Sequence, residues 1–204
     1  GAQFNGRVSM QKGELNWPGL WEEPVKKINQ FEATVNGQLD EQGWQVQAQS
    51  AQLHSEGSRA DFQLRWSNSP ADPWGLIDLR GTLDQASTSQ VVQWLPQILP
   101  APVRQYLKLA LPQGEVRQAQ ARVQGRLQDF PFRKPGSGEF LIRSQLANVR
   151  WATFPRSFGQ SSIEGEWPVL QDLQGELVFD RYAVQLNKVK ARMALAPNVQ
   201  WSVL

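Results

Sequence analysis

Apolar and polar residues alternate one for one along most of the chain. Trp44, Val46 and Ala48 alternate with Gln45, Gln47 and Gln49, and Phe62, Leu64 and Trp66 with Gln63 and Arg65. Successive side chains of a strand point to opposite faces of its sheet, so each run predicts a strand with one apolar and one hydrated face. The pattern recurs at Ile77, Leu79, Gly81 and Leu83, and at Ala119, Ala121, Val123, Gly125 and Leu127. It returns at Phe140, Ile142, Ser144 and Leu146, at Leu173, Gly175, Leu177 and Phe179, and at Val184 and Leu186. Polar turn sequences such as Asp40-Glu41-Gln42-Gly43 and Ser55-Glu56-Gly57-Ser58 separate many of these runs, as antiparallel meanders require. At the C-terminal end, Gln200 to Leu204 still alternate as though a strand continued, and the chain does not open on Met, so a piece of a longer protein is expected.

Between Ser87 and Leu111 the spacing turns helical. Val91, Val92 and Leu95 form one short stripe, and Val103, Tyr106, Leu107 and Ala110 a second. Ser87, Thr88 or Ser89 can cap the first helix, and Pro102 suits an early position of the second. Pro96 and Pro100 force a break between them, and Pro112 with Gly114 ends the second. The expectation is a helical hairpin over 87–113, packed on a sheet whose segments span 1–86 and 114–204 of one continuous domain. Gly-x-Leu recurs at Gly37, Gly81, Gly125 and Gly175. Spacing of this kind fits a repeated strand group, with chance as its rival.

Composition removes more chemistry than it offers. The 204 residues are 40% hydrophobic, enough for a sizeable core. With no Cys and one His, disulfides, thiolate nucleophiles and most metal sites are excluded. A chain without Cys also fits an oxidising compartment such as a periplasm. Twenty-one Lys and Arg oppose nineteen Asp and Glu without forming a basic stripe, so nucleic-acid binding is not expected. No apolar run is long enough to span a bilayer, and no signal sequence opens the chain.

The candidate catalytic groups each have a simpler reading. His54 falls opposite Leu53, where a solvent-facing strand histidine is expected rather than a base, and no Gly-x-Ser-x-Gly elbow presents a nucleophile to it. Ser9 and Lys12 match a Ser-x-x-Lys pattern in a turn-like polar stretch without its partner motifs. The paired carboxylates Glu22 and Glu23, Asp40 and Glu41, and Glu164 and Glu166 sit near turn or loop signals without an apolar pocket to raise one pKa. Gly136-Ser137-Gly138 precedes a strand, as a hairpin turn does, not a phosphate-binding helix. The 9 Trp and 9 Phe are more informative, because many occupy the apolar side of a strand. A filled sandwich core would explain them, and so would an apolar face left open for a ligand.

The stretch from the helical pair onward resembles the YhdP family, part of the larger AsmA-like group of Gram-negative envelope proteins. The likeness is carried by Val91-Val92-Gln93-Trp94-Leu95-Pro96, Val103-Arg104-Gln105-Tyr106-Leu107, and Ala110-Leu111-Pro112-Gln113-Gly114. Further on it is carried by Gly125-Arg126-Leu127-Gln128-Asp129-Phe130-Pro131-Phe132, Gly138-Glu139-Phe140, and Trp167-Pro168 through Phe179. Trp94 stands where a tyrosine is expected, and Pro155 to Gln160 looks like a local insertion. The resemblance implies an inner-membrane anchor elsewhere in a long protein and a periplasmic body whose sheet curls into a groove, through which phospholipids pass between the inner and outer membranes.

The combined expectation is an all-β fold with a short helical hairpin: an antiparallel, strongly twisted and curled sheet with an apolar groove. Its candidate lining is Trp44, Val46, Phe62, Leu64, Ile77, Leu79, Val123, Leu127, Phe140, Ile142, Leu177 and Phe179. The expected ligands are phospholipid acyl chains, with no catalytic residue, cofactor or metal. The rival expectations are a closed spacer or partner-docking module of the envelope, and a carbohydrate-binding or carbohydrate-processing β-domain.

Overall fold

A computed structural model describes residues 1–16, 21, 25–97, 99–153, 169–181, 183–196 and 199–203, with the side chains of 25, 26, 194–196 and 199–203 outside the description. Among these residues ten strands form one antiparallel sheet in strict chain order. They are β1 (Ala2–Asn16), β2 (Val25–Asp40), β3 (Gly43–Ser55), β4 (Ser58–Ser69), β5 (Asp72–Ser87), β6 (Gln113–Arg126), β7 (Gly138–Ala152), β8 (Val169–Asp180), β9 (Ala183–Ala196) and β10 (Val199–Val203). The sheet is open, with β1 and β10 at its two edges. The all-β antiparallel expectation is met. Ser9 and Lys12, read from sequence as a turn-like stretch, lie inside β1.

The tightest connections follow turn chemistry. Asp40 pairs with Gly43 and Ser55 with Ser58, leaving two-residue turns. Glu56 and Gly57 both have positive φ, +48° and +82°, the twist that matches the flanking strands in a tight hairpin.

The strands are longer than their alternation, because the apolar positions slip by one residue partway along. Met10 is followed by Gly13, Ile28 by Phe31, Ala48 by Ala51, Leu83 by Ala86, Val116 by Ala119, Leu146 by Val149, Leu170 by Leu173 and Leu186 by Val189. A slip of one would turn the rest of each strand inside out. Irregular positions absorb it. The register shifts between Ala48 and Ala51, between Arg117 and Gln120, between Leu146 and Val149, between Gln171 and Gln174, and between Gln174 and Glu176. Lys12, Gln118, Asn148, Asp172 and Lys188 take φ near +50° at these slips. In β1–β2 and β5–β6 both partners slip together, so Met10 pairs with Phe31 and Gly13 with Ile28, and Leu83 with Ala119 and Ala86 with Val116. Each bulge bends its strand and adds right-handed twist while keeping apolar side chains on one face.

Two helices, α1 (Thr88–Gln93) and α2 (Ala101–Ala110), separate β5 from β6, as the helical spacing predicts. Ser87 caps α1 in a capping box: its Oγ accepts from the Gln90 N–H at 3.2 Å, and its own N–H donates to Gln90 Oε1 at 2.8 Å. The helices pack over one end of the sheet. There Val116, Leu146, Val149 and Leu173 form a buried cluster, with Val91 and Leu111 against it. Tyr106 of α2 donates its hydroxyl to the Thr153 carbonyl at 3.1 Å and accepts from the Trp151 indole at 3.2 Å.

The Gly-x-Leu glycines do not mark equivalent positions in a repeat. Gly37 lies near the end of β2, Gly81 and Gly175 inside β5 and β8, and Gly125 one residue from the end of β6. Two of them seat aromatic rings. A Cβ on Gly125 would meet the Phe132 ring at 2.7 Å, and on Gly37 the Phe4 ring too closely to fit.

Candidate functional site

The register gathers the predicted residues into rows that run across the strands. One row reads Phe4, Gly37, Val46, Trp66, Ile77 and Gly125 from β1 to β6. The next reads Gly6, Val35, Ala48, Leu64, Leu79, Val123 and Phe140. A third runs from Val8 through Ala33, Ala51, Phe62, Gly81, Ala121, Ile142 and Phe179 to Val184, crossing β1 to β9. Trp44 pairs with Leu39 beside the first row, and Leu177 pairs with Ser144 and Leu186 beside the third. Eleven of the twelve predicted lining residues therefore share one face. Leu127 is the exception. It lies beyond β6, in a single 3-10 turn over Leu127–Asp129, and is not part of the strand series in which its alternation had placed it.

Sequence reasoning missed part of this face. Alternation had placed Trp66, Gly81 and Ala121 on it, but it also includes Phe4, Val8, Phe31, Val35 and Ala51, which no alternating run named. Cross-strand pairing selects them, a signal that single-strand alternation lacks.

Among the described residues the face is covered at its ends and bare in the middle. At one end sit α1 and α2, and Trp21 joins them. Its ring meets Trp94 edge to face at 5.3 Å, its indole N–H donates to the Trp94 carbonyl at 3.1 Å, and its own carbonyl accepts from the Gln97 side chain at 2.7 Å. At the other end the connection between β6 and β7 folds over those two strands. Phe132 is fully buried there against the directly paired glycines Gly125 and Gly138, whose missing side chains make room for its ring. The Phe130 ring lies 4.8 Å from that of Phe140 and tilted to it by 50°, and Phe140 lies 5.4 Å from Phe179 at a tilt of 58°.

These covers divide the predicted residues. Phe140 is packed, with 7% of its surface exposed, and Leu177 touches the cluster beneath the helices. Val46, Phe62, Leu64, Ile77, Leu79, Val123 and Ile142 are half-buried, and Trp44 is 41% exposed. Ala33, Ala48 and Ala51 are buried by Phe31, Val35, Phe62 and Leu64, their neighbours on the same face. Among the described residues α1 and α2 contact β5, β6 and β7. Phe4 and Val8 at the β1 edge are exposed.

The opposite face is polar and holds two depressions, of about 690 and 800 Å³. Their linings identify the side. In the first, two residues of polar-face parity flank a single apolar-face residue on each of β3 to β6, and β7 contributes Leu141 and Arg143 without Ile142. Of the candidate catalytic carboxylates, Asp40 is tied into its turn. Backbone N–H donation from Gln42, with the Gln38 amide, holds the Asp40 carboxyl below its ordinary range. His54 lies on the polar face, paired with Gln30 and Arg59. Glu22, Glu23, Glu164 and Glu166 fall outside the described residues.

One family model, described as YhdP protein, matches residues 2–201. The chain belongs to the YhdP family. It is therefore an AsmA-like envelope protein, and the motifs from Val91 to Phe179 that carry the resemblance lie within the match. No curated protein and no solved structure matches the chain. In this YhdP-family chain no helix among the described residues is long and apolar enough to cross a membrane.

Proposed function

We propose that this chain is a non-enzymatic section of an intermembrane phospholipid conduit in the periplasm, and that its bare apolar face shelters acyl chains. The observation that carries the reading is the continuity of the apolar rows across β1 to β9, with the covers that the described residues form confined to the strand ends. On this reading the bulges, which bend the strands, curl the sheet toward this face as a trough whose axis runs across the strands. The helical hairpin stands at one wall and the Phe130–Phe132 segment at the other.

The energetics fit such a task. An acyl chain crossing water exposes methylenes at about 0.8 kcal/mol each, on the order of 10 kcal/mol per tail. The row of Ala48, Leu64, Leu79 and Val123 offers apolar contact at successive strands, about 4.8 Å apart. The tail thus exchanges one set of contacts for the next without returning to water. No bond changes, and the face needs no base or nucleophile.

The test is to purify the chain without detergent from cells that direct it to the periplasm, then extract it with organic solvent for mass spectrometry. Diacyl phospholipid in the extract is the expected result. An extract without lipid would favour a closed spacer, and bound soluble glycan a carbohydrate-binding domain; either overturns the proposal.

A further inference from the structure

The polar face carries a charge arrangement that sheltering acyl chains does not use. Arg80 of β5 lies directly opposite Arg122 of β6. Arg143 of β7 pairs with Gln120, which places it diagonal to Arg122. Like charges set opposite each other in a sheet repel and cost stability. Arg122 is compensated. It pairs with Asp78, stands 3.6 Å from Glu139, and donates to the Leu79 carbonyl at 3.3 Å and to Gln124 Oε1 at 2.6 Å.

Arg80 and Arg143 are different. Both are exposed, and neither has an ion pair among the described residues. Asp61, on the same lining, is already paired with Arg59 at 3.1 Å. Two guanidinium groups without an ion pair of their own thus flank a compensated third in the depression of about 690 Å³, beside Gln63, Gln120 and Thr82, while Asp78, whose charge Arg80 also feels, is already paired with Arg122.

We propose that this depression binds a phosphate-bearing polar ligand, with Arg80 and Arg143 taking the phosphate oxygens and Gln63, Gln120 and Thr82 the adjoining hydroxyl groups. A carboxylate would satisfy one guanidinium fork. A phosphate monoester carries close to two negative charges and enough acceptor oxygens for two forks. Arg122 is fixed by Asp78 and sets the spacing of the other two. The amides and the Thr82 hydroxyl supply both donors and acceptors, which hydroxyl-bearing ligands match. The shared chemistry is a glycerol- or sugar-linked phosphate, whether free or at a lipid headgroup.

The test is calorimetric titration of the chain with glycerol 3-phosphate and with glycerol, and a parallel flotation assay with vesicles of phosphatidic acid in phosphatidylcholine. Glycerol 3-phosphate is expected to bind where glycerol does not. The double variant Arg80→Gln/Arg143→Gln is expected to weaken that binding by about tenfold or more. The variant Arg7→Gln/Arg117→Gln removes as many charges outside the depression and should bind as the parent chain does. Binding seen only with phosphatidic acid vesicles, and lost in the Arg80/Arg143 variant, also supports the site and assigns its ligand to a headgroup. Absence of binding in both assays, or equal loss in the two double variants, overturns it. Because this site is on the polar face, its failure leaves the acyl-chain proposal standing, and the reverse holds too.

Discussion

Leu79→Asp is expected to abolish lipid association while leaving the sheet folded. Leu79 sits between Leu64 and Val123 in the middle of the bare face, half-buried and away from both covers. In the empty protein an aspartate there stays hydrated, so the fold tolerates it. Once an acyl chain lies over it, the carboxylate must lose that water without gaining a partner. Even an uncharged polar group pays roughly 2–7 kcal/mol for such a transfer, and a carboxylate more, so affinity should fall by well over tenfold. The comparison is Gln85→Asp, an exposed position of the same strand opposite Arg117. Retained circular dichroism in both variants, with lipid lost from the first alone, is the expected outcome of the extraction experiment. Equal lipid in the two would place the acyl chains elsewhere.

The second large effect is on stability. Leu173→Ala should cost about 2–5 kcal/mol in chemical denaturation, because Leu173 is fully buried among Val116, Leu146 and Val149 beneath the helical hairpin. Leu64→Ala should cost clearly less. Leu64 already has one side open and leaves no closed cavity when truncated. The contrast measures how the apolar face is divided. Similar losses at the two positions would mean that the centre of the face is packed like its helical end, against its use as a trough.

Much of this arrangement was legible in the sequence, and the illegible parts share a cause. Alternation at Phe62, Leu64 and Trp66 is a local property of one strand and appears where expected; the helix cap is local too, and of the candidates Ser87, Thr88 and Ser89 it is Ser87 that caps. The slip from Leu146 to Val149 is also local, yet it looks like the end of a strand until a bulge at Asn148 is known to absorb it. For the same reason β1 was read as partly turn. What lies over the face depends on contacts between distant segments. Nothing near Phe140 announces that Phe130 will cover it, and nothing near Gly125 that Phe132 needs its missing side chain. Trp21 meeting Trp94 is a contact of the same kind. Within the face, eleven of the predicted residues came together because parity alone assigns a side in a meander of consecutive antiparallel strands. Leu127 failed because its strand had already ended. The Arg80 and Arg122 pair was invisible for the converse reason: each is an ordinary polar-face residue until register sets them opposite one another.

The most direct test of the acyl-chain trough is photocrosslinking in the protein as the cell makes it, with a photoreactive amino acid at Phe62, Leu79 or Ile142, and at Gln47 or Gln85 on the other face. Adducts at the first three positions should yield phospholipid fragments by mass spectrometry, and adducts at Gln47 and Gln85 should not. Lipid captured from neither face, or equally from both, would contradict the assignment of the bare apolar rows to acyl chains.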